Sequence, residues 1–209
     1  AEQIGVVAQN HGWDSYIAYG RYMNPSKNHL IKIGSKYEVY EHYIENIFFD
    51  NEGLASRRAT NKFLKEIDRI MPDIVHLHNI HDHYINYELL FNYLSKKNIP
   101  VVWTQHDQWA LTGHCCYIEL HCNRWESMCF KCPISPWYGI DRSKRNHRLK
   151  KKLITSIPSL TIIPVSKWLA DNVRQSYLQD NPIEVIHNGI DLEIFRPIDV
   201  NLYENYGIA

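Results

Sequence analysis

Apolar residues along this chain recur with two different periods, and the two periods alternate. Between Leu54 and Ile70 they repeat at helical spacing, with Ser56 available as a cap and Pro72 ending the pattern. Similar helical segments are separated by short apolar runs that are typical of buried strands. Further helices are predicted at 84–94, 141–157 and 167–177, and strands at 73–78, 100–104, 160–165 and 183–186. This order predicts an α/β fold with a doubly wound parallel sheet covered on both faces.

The first fifty residues are less regular. Residues 1–10 have the pattern of the end of a helix closed by His11 and Gly12, and 13–19 are typical of a short strand. Residues 30–50 carry apolar and aromatic side chains without a clean period, which predicts irregular structure with room for one strand. A doubly wound domain normally opens with a strand and a glycine-rich turn before its first helix. We therefore expect those elements to be missing from this chain, which starts inside that helix.

Composition and charge narrow the class of protein. The chain has 209 residues, 44% of them hydrophobic, and its 23 basic and 23 acidic residues balance. This is the composition of a globular protein large enough for one substantial core. No apolar run approaches the roughly 20 residues that a membrane-spanning helix requires. The balanced charge gives no reason to expect nucleic acid as a partner.

All five cysteines fall within a predicted loop at 106–140 that follows the strand 100–104. Four of them have the spacing Cys115-x6-Cys122-x6-Cys129-x2-Cys132, whose last pair can bind one metal ion through two thiolates. Zinc prefers four soft ligands in a tetrahedral arrangement. We therefore predict a structural zinc ion bound by these four cysteines.

Other interpretations of the cysteine loop remain open. Cys116 is left over, and His114 or His121 could replace one thiolate as a ligand. Reduced free thiols and disulfides formed on oxidation compete with zinc binding. An odd number of cysteines in one short segment favours a reducing compartment and metal binding over a disulfide framework. Because the loop follows a strand of an open α/β sheet, we expect it to organise a functional site.

Five short segments combine into a recognisable pattern: 72–79 (PDIVHLHN), 103–107 (WTQHD), 111–115 (LTGHC), 165–169 (VSKWL) and 185–191 (VIHNGID). Together they resemble the N-terminal domain of bacterial family-four, group 1 glycosyltransferases, in the branch that builds capsule, exopolysaccharide or O-antigen. The resemblance implies a GT-B architecture, in which two Rossmann-like domains face a cleft and the N-terminal one mainly holds the acceptor. Residues 1–197 would be this domain, and 198–209 the start of a linker to a C-terminal donor-binding domain that the chain lacks.

The resemblance also implies a reaction. A retaining, hexosyl-type enzyme would transfer a sugar from a nucleotide-sugar donor to a glycan or lipid-linked acceptor, without a catalytic metal. It would act in surface polysaccharide biosynthesis in the cytoplasm, peripheral to the inner face of the cell membrane. Without the donor-binding domain this chain alone is expected to be inactive. The alternative is a non-catalytic α/β module, stapled by zinc, that binds a glycan or a protein.

His106 is the candidate catalytic residue, because the resemblance implies that the histidine of this motif points into the cleft near the transferred sugar. A histidine at the end of a strand can donate a hydrogen bond to a sugar hydroxyl or to a developing phosphate charge. A loop histidine bonded to the backbone is the competing interpretation. Asp107, Trp109 and Asn79 are expected to contact the substrate beside it.

Two further segments border the predicted cleft. Ser166 and Lys167 begin a helix, where a hydroxyl and free N–H groups can bind an anion, although helix capping explains Ser166 equally well. Asn188 and Gly189 form a predicted tight turn that tolerates positive φ, and the resemblance implies that this turn borders the donor cleft.

Two groups of charged or titratable residues have a structural and a functional interpretation. Histidines at 76, 78, 81 and 83 superficially resemble a metal site, but we favour packing or hydrogen bonds to backbone carbonyls. Basic residues recur through the predicted helix at 142–152, where a solvated helix face is the usual explanation. Contact with anionic lipid headgroups, worth about 1 kcal/mol per basic residue, is the functional alternative. Nucleic acid is the weakest option, because no aromatic residues are interleaved with these charges.

Overall fold

A computed structural model describes residues 1–118, 122–134 and 140–197 of the chain. In chain order its elements are α1 (Glu2–Asn10), β1 (Tyr16–Tyr19), β2 (His29–Lys32), α2 (Lys36–Phe49), α3 (Arg57–Ile70), β3 (Val75–Leu77), α4 (Tyr87–Lys97), β4 (Val101–Gln105), a 3-10 turn (Trp109–Leu111), α5 (Arg124–Ser127), α6 (Ser143–Ile154), β5 (Leu160–Pro164) and α7 (Lys167–Arg174). The predicted linker at 198–209 lies outside the described residues. From α3 onwards the order of strands and helices is the predicted α/β order.

All strand pairs in the described ranges are parallel. β3, β4 and β5 form one sheet in that order, with Leu77 opposite Trp103 and Trp103 opposite Ile162. An isolated parallel bridge between Ile162 and Ile183 lies at the outer side of β5. β1 and β2 form a second, two-stranded sheet. Because parallel strands end at the same edge, the segments that follow β3, β4 and β5 gather at the C-terminal edge of the larger sheet.

Caps and apolar faces determine where the helices form and what they cover. Ser35 begins α2 in a capping box with Glu38, and the side chain of Asn86 accepts the N–H of Leu89 at the start of α4. α4 packs against both α3 and α6. The core joins α4 to the sheet through Phe91, which is fully buried beside the strands. Burying a side chain of this size stabilises the fold by about 1.5–3 kcal/mol.

Three local predictions differ from the structure. Residues 30–50 contain one strand, β2, for which the prediction left room, but irregular structure in the rest of this range is wrong, because the 14-residue helix α2 occupies it. The predicted strand at 183–186 is reduced to the bridge at Ile183. Ser56 occupies the N-cap position of α3, but its hydroxyl lies 2.8 Å from Nδ1 of His42 and makes no hydrogen bond to the helix backbone. The last difference reflects a tertiary contact with α2 that local sequence does not encode.

Candidate functional site

His106 and Asn188 lie at the same edge of the three-stranded sheet, as predicted. His106 directly follows β4, which runs parallel to β5. Next to Asn188, Nδ1 of His187 lies 2.9 Å from the carbonyl oxygen of Val165, the residue after β5. Parallel α/β sheets bind their ligands at this edge. The arrangement therefore provides a candidate ligand site between the ends of the strands.

Three histidines form a stack at the ends of β3 and β4. His76 Nε2 lies 2.7 Å from Thr104 Oγ1, and the rings of His76 and His78 stack with their centroids 4.4 Å apart. His78 Nδ1 lies 3.2 Å from His106 Nε2. Within the described residues, the contacts of these rings are with other side chains. They agree with the packing that we favoured for the histidine tract and not with the competing interpretation of His106 as a loop histidine bonded to the backbone.

Burial keeps this stack uncharged at neutral pH. It lowers the pKa of His78 to about 3, and it lowers the pKa values of His76 and His106 below their ordinary range. A neutral imidazole has one N–H donor and one acceptor nitrogen. One ring nitrogen of His106 faces His78, and the residue is exposed. Its other ring nitrogen is therefore available to a hydroxyl or a phosphate oxygen.

Asp107 is held within the protein by both of its carboxylate oxygens. Oδ1 accepts the N–H of Trp109 at 2.9 Å, and Oδ2 lies 2.8 Å from Nε2 of His81. Burial alone would lower the pKa of His81, but the contacts with Asp107 and Cys116 outweigh it and raise that pKa to about 10. His81 is therefore a protonated partner of Asp107 at neutral pH. This ion pair fixes the turn that follows His106.

Trp109 lines the pocket beside His106, but its side chain is packed in the core, and its contact with substrate stays a prediction. Its side chain is 1% exposed, and its indole N–H donates to Glu52 Oε1 at 2.6 Å. The ammonium of Lys150 donates to the carbonyl of Trp109 at 2.9 Å and lies 3.5 Å from the centre of the ring. The apolar surface of the indole is covered by the core. Trp109 therefore packs beneath the turn after His106 and connects it to the core.

A small pocket opens at the ends of β3 and β4, with a volume of about 210 Å³ including its open mouth. His78, Asn79, Gln105 and His106 contribute to its lining. Gln105 is 3% exposed, yet neither polar atom of its amide has a hydrogen-bond partner within the described part of the chain. A buried polar group without a partner costs about 1–3 kcal/mol. Gln105 is therefore a candidate ligand contact. In the sequence its only indication was a polar residue at the end of an apolar strand.

The other predicted ligand contacts are exposed to solvent or already make hydrogen bonds within the protein. Ser166 Oγ accepts the N–H of Leu169 at 3.2 Å and caps α7, which supports the capping interpretation. Lys167, Asn188 and Gly189 are exposed. Residues 188 and 189 lie in an extended segment without a turn, and neither has a positive φ, so the predicted tight turn is wrong. As ligand contacts, Asn79, Lys167 and these two residues remain predictions.

The cysteine loop contains a close group of metal-type ligands. One ligand atom from each of His114, Cys115 and Cys132 lies within 4.8 Å of the others. Cys132 hydrogen-bonds to Cys115, which lowers the pKa of Cys115 to about 6 and raises that of Cys132. Cys122 and Cys129 line the same cavity without belonging to the close group. The structure therefore assembles two of the four predicted cysteines and adds His114.

None of the five cysteines is in a disulfide. His114 also faces a buried carboxylate, since its Nδ1 lies 3.2 Å from Asp50 Oδ1, although the ring is not aligned for a hydrogen bond. Burial would lower the pKa of His114, but Asp50 outweighs it and raises the pKa. The alternative ligand His121 lies outside the described residues.

A second group of metal-type ligands combines His81, Asp107 and Cys116. Its geometry is that of a hydrogen-bonded relay, because the two ring nitrogens face different partners: Nε2 faces Asp107, and Nδ1 lies 3.7 Å from Cys116 Sγ. His83 lies 3.0 Å from the amide of Asn46. Among the described residues, His81 alone of the histidine tract belongs to a metal-type group, which supports the structural interpretation of that tract.

The basic segment at 142–152 is not one solvated face. Lys150 is fully buried, with its ammonium 3.7 Å from Glu52 Oε2, and the guanidinium groups of Arg142 and Arg145 donate to the side chain of Asn51. Arg145 is exposed but held by these bonds, whereas four other exposed basic residues lie on one side of α6: Lys144, Arg148, Lys151 and Lys152. Lipid contact therefore depends on four charges and not on the whole segment.

No helix in the three described ranges is long and apolar enough to cross a membrane. Residues 3–194 match the family described as Glycosyltransferase Family 4. Over 143 residues the chain is 30% identical to the protein named "Putative colanic acid biosynthesis glycosyl transferase WcaC" from Escherichia coli (strain K12), in an alignment that covers 63% of this chain. The alignment covers 35% of that relative, so the chain spans about a third of its length.

These matches confirm the resemblance that the five short segments predicted. They also confirm the fold class, because the matching family is the Rossmann-like N-terminal domain of GT-B glycosyltransferases and the observed sheets are parallel. The match extends across the ends of β3, β4 and β5, where His106 and its pocket lie. The chain belongs to Glycosyltransferase Family 4.

Proposed function

We propose that the protein containing this chain transfers a sugar from a nucleotide-sugar donor to a glycan or lipid-linked acceptor in exopolysaccharide assembly. Family membership supports the transferase chemistry, and the relative's name refers to colanic acid biosynthesis. Residues 1–197 act as the acceptor-side domain, and 198–209 lead to a donor-binding domain. Retention at the anomeric carbon and independence from a catalytic metal belong to the same proposal.

The main support for this assignment is the environment of His106. Its ring is neutral, it is held by His78, and it borders a pocket that contains the unpaired amide of Gln105. When the glycosidic bond to the donor phosphate breaks, negative charge grows on the phosphate oxygens. A preorganised N–H donor stabilises that charge more than it stabilises the bound donor. Gln105 can hold a sugar hydroxyl with its free donor and acceptor atoms.

The test uses the full-length natural protein. His106→Ala should lower turnover by about 10²–10³-fold and change donor affinity much less, because the contact strengthens only as charge develops. His11→Ala is the matched control, since this exposed ring contacts the Val7 carbonyl at the end of α1, and it should leave turnover unchanged. Near-normal turnover by folded His106→Ala protein would remove the catalytic assignment. A full-length protein that binds a glycan or a protein but transfers no sugar would favour the non-catalytic module.

The cysteine loop binds one structural zinc ion in this proposal. Support comes from the close group of His114, Cys115 and Cys132 and from two further cysteines on the same cavity. Zinc takes four sulfur or nitrogen ligands in structural sites. Protein purified without added metal should contain about one zinc ion per chain by elemental analysis. Metal-free protein with titratable thiols and an ordered loop would contradict this part of the proposal.

The protein works in the cytoplasm, at the inner face of the membrane, in the same proposal. Free thiols are typical of a reducing compartment, and a lipid-linked acceptor would be met at the membrane surface. The exposed basic residues of α6 provide a surface for anionic headgroups. Four such residues would contribute about 4 kcal/mol at low salt.

A further inference from the structure

His114 lies between the cysteine cavity and a buried carboxylate. Its Nε2 is 3.1 Å from Cys132 Sγ, and its Nδ1 is 3.2 Å from Asp50 Oδ1. The two nitrogens of one ring thus face a sulfur on one side and a carboxylate oxygen on the other. A histidine that binds a metal uses one ring nitrogen as the ligand and directs the N–H of the other to a carboxylate or a carbonyl. The distances around His114 match this pattern, and a small rotation of the ring would align its Nδ1–H with Asp50.

Asp50 is fixed in place for this role. It is 1% exposed, its Oδ2 accepts the backbone N–H of Arg142 at 2.5 Å, and its carbonyl oxygen accepts the side-chain amide of Asn146 at 3.0 Å. A carboxylate so deeply buried requires compensating donors or positive charge. Its other oxygen, Oδ1, accepts the side-chain amide of Asn146 at 3.4 Å and faces His114. Asp50 is therefore a fixed acceptor that lies within reach of the His114 ring.

The backbone around the two neighbouring thiols is also held. The hydroxyl of Thr112 donates to the carbonyl oxygen of Cys115 at 2.6 Å, and the N–H of Cys132 donates to Asp141 Oδ2 at 2.9 Å. Tetrahedral zinc at ordinary bond lengths keeps its ligand atoms roughly 3.5–3.8 Å apart. The ligand atoms of His114, Cys115 and Cys132 already lie within 4.8 Å of one another. Only small side-chain movements are needed for them to close around an ion.

We infer that zinc is bound by His114 Nε2, Cys115, Cys132 and one more cysteine of the cavity, and that Asp50 is the outer carboxylate that orients His114. The inference rests on the proposed structural zinc and replaces its four-sulfur shell with three sulfurs and one nitrogen. The fourth ligand is Cys122 or Cys129, since both line the cavity. This shell carries one negative charge fewer than four thiolates, which lowers the cost of burying it.

X-ray absorption on the zinc-loaded chain tests the ligand set directly. The expected shell has three sulfurs near ~2.3 Å and one nitrogen near ~2.0–2.1 Å. His114→Cys should keep the metal and convert the spectrum to four sulfurs, which gives a loaded variant even where His114→Ala fails to fold. His121→Ala should leave the spectrum unchanged. A four-sulfur shell in the wild-type chain, or loss of the nitrogen in His121→Ala, would overturn the assignment of His114.

A competition titration against a chromophoric chelator tests the role of Asp50. Asp50→Asn keeps the shape of the side chain but weakens its hold on the histidine ring, and should lower zinc affinity by about 10–100-fold. Asp73→Asn, at an exposed position before β3, is the control and should leave affinity unchanged. Unchanged affinity in Asp50→Asn would overturn the outer-ligand role. A wild-type chain that takes up no zinc would instead overturn the structural-zinc proposal itself, so the two failures are distinguishable.

Discussion

Replacing Lys150 with Met should destabilise the protein far more than replacing its neighbour Lys151. The ammonium of Lys150 is fully buried, donates to the Trp109 carbonyl at 2.9 Å and lies 3.7 Å from Glu52 Oε2. Methionine fills nearly the same volume, so the substitution removes the charge and leaves the packing. Lys151 is exposed on the same helix, and Lys151→Met is therefore the matched control.

The expected loss is about 3–5 kcal/mol in the free energy of unfolding, which is the usual cost of removing one partner from a buried ion pair. Glu52 would keep its hydrogen bond from Trp109 but would lose the nearby positive charge. Burial already raises the pKa of Glu52 despite Lys150. When the pKa of a carboxyl group is higher in the folded state than in the unfolded state, the folded protein binds more protons. The free energy of unfolding then falls as pH rises above the ordinary pKa of that group. The deficit of Lys150→Met should therefore widen with rising pH.

Urea unfolding followed by circular dichroism measures this effect across a pH series. The double variant Lys150→Met/Glu52→Gln should lose less than the sum of the two single variants, because the uncompensated carboxylate is gone. A cost below about 1 kcal/mol for Lys150→Met, or strictly additive costs, would refute the idea that the two groups depend on each other in the core.

Three further outcomes are expected. Burial lowers the pKa of His42 to about 3, so the unfolded state binds more protons than the folded state below about pH 6.5. The free energy of unfolding should therefore fall on acidification towards pH 4. His42→Asn should reduce this pH dependence, and the control His29→Asn should not. Gln105→Leu should stabilise the free protein by about 1–3 kcal/mol yet lower acceptor or donor affinity in the full-length enzyme, and unchanged binding would exclude a ligand contact. Replacing Lys144, Arg148, Lys151 and Lys152 of α6 with Gln should abolish sedimentation of the protein with anionic vesicles at low salt. Binding equal to that of the wild-type protein would exclude this surface as the membrane contact.

Local sequence was sufficient to predict the helices and strands whose apolar face points to the core. α3 and β4 follow their patterns because helix or strand period and burial coincide in these segments. The position of His106 also followed from sequence, because a residue after a parallel strand must lie at the C-terminal edge of the sheet. That His106 and Asn188 share this edge required only the order of the strands.

The helical period of apolar residues in α2 could not be recognised in the sequence, because the solvent-facing side of this helix carries aromatic residues. Tyr37 and Tyr40 are largely exposed, while His42 is the buried residue of this helix. A helix whose polar residue faces inward and whose aromatic residues face outward gives no amphipathic signal. The capping box at Ser35 and Glu38 was the remaining local indication of a helix start.

Long-range partners account for the errors in the site. Lys150 belongs to a run of basic residues and looks solvated, but Glu52 and Trp109 compensate its charge from distant parts of the chain. Trp109 was expected to contact the substrate, but Glu52 binds its indole N–H and Lys150 lies against its ring. Spacing in the sequence reveals which residues share a face, whereas burial of a polar group depends on partners that only the folded chain supplies.

Asp50 ties the proposed zinc site to distant parts of the chain. It lies 92 residues before Arg142, yet its contacts with Arg142 and His114 join the end of α2 to the start of α6 and to the cysteine loop. Contacts over such separations form only after the intervening chain has closed. A peptide that carries the cysteines alone would lack this carboxylate, so the loop should not behave as a transplantable zinc finger.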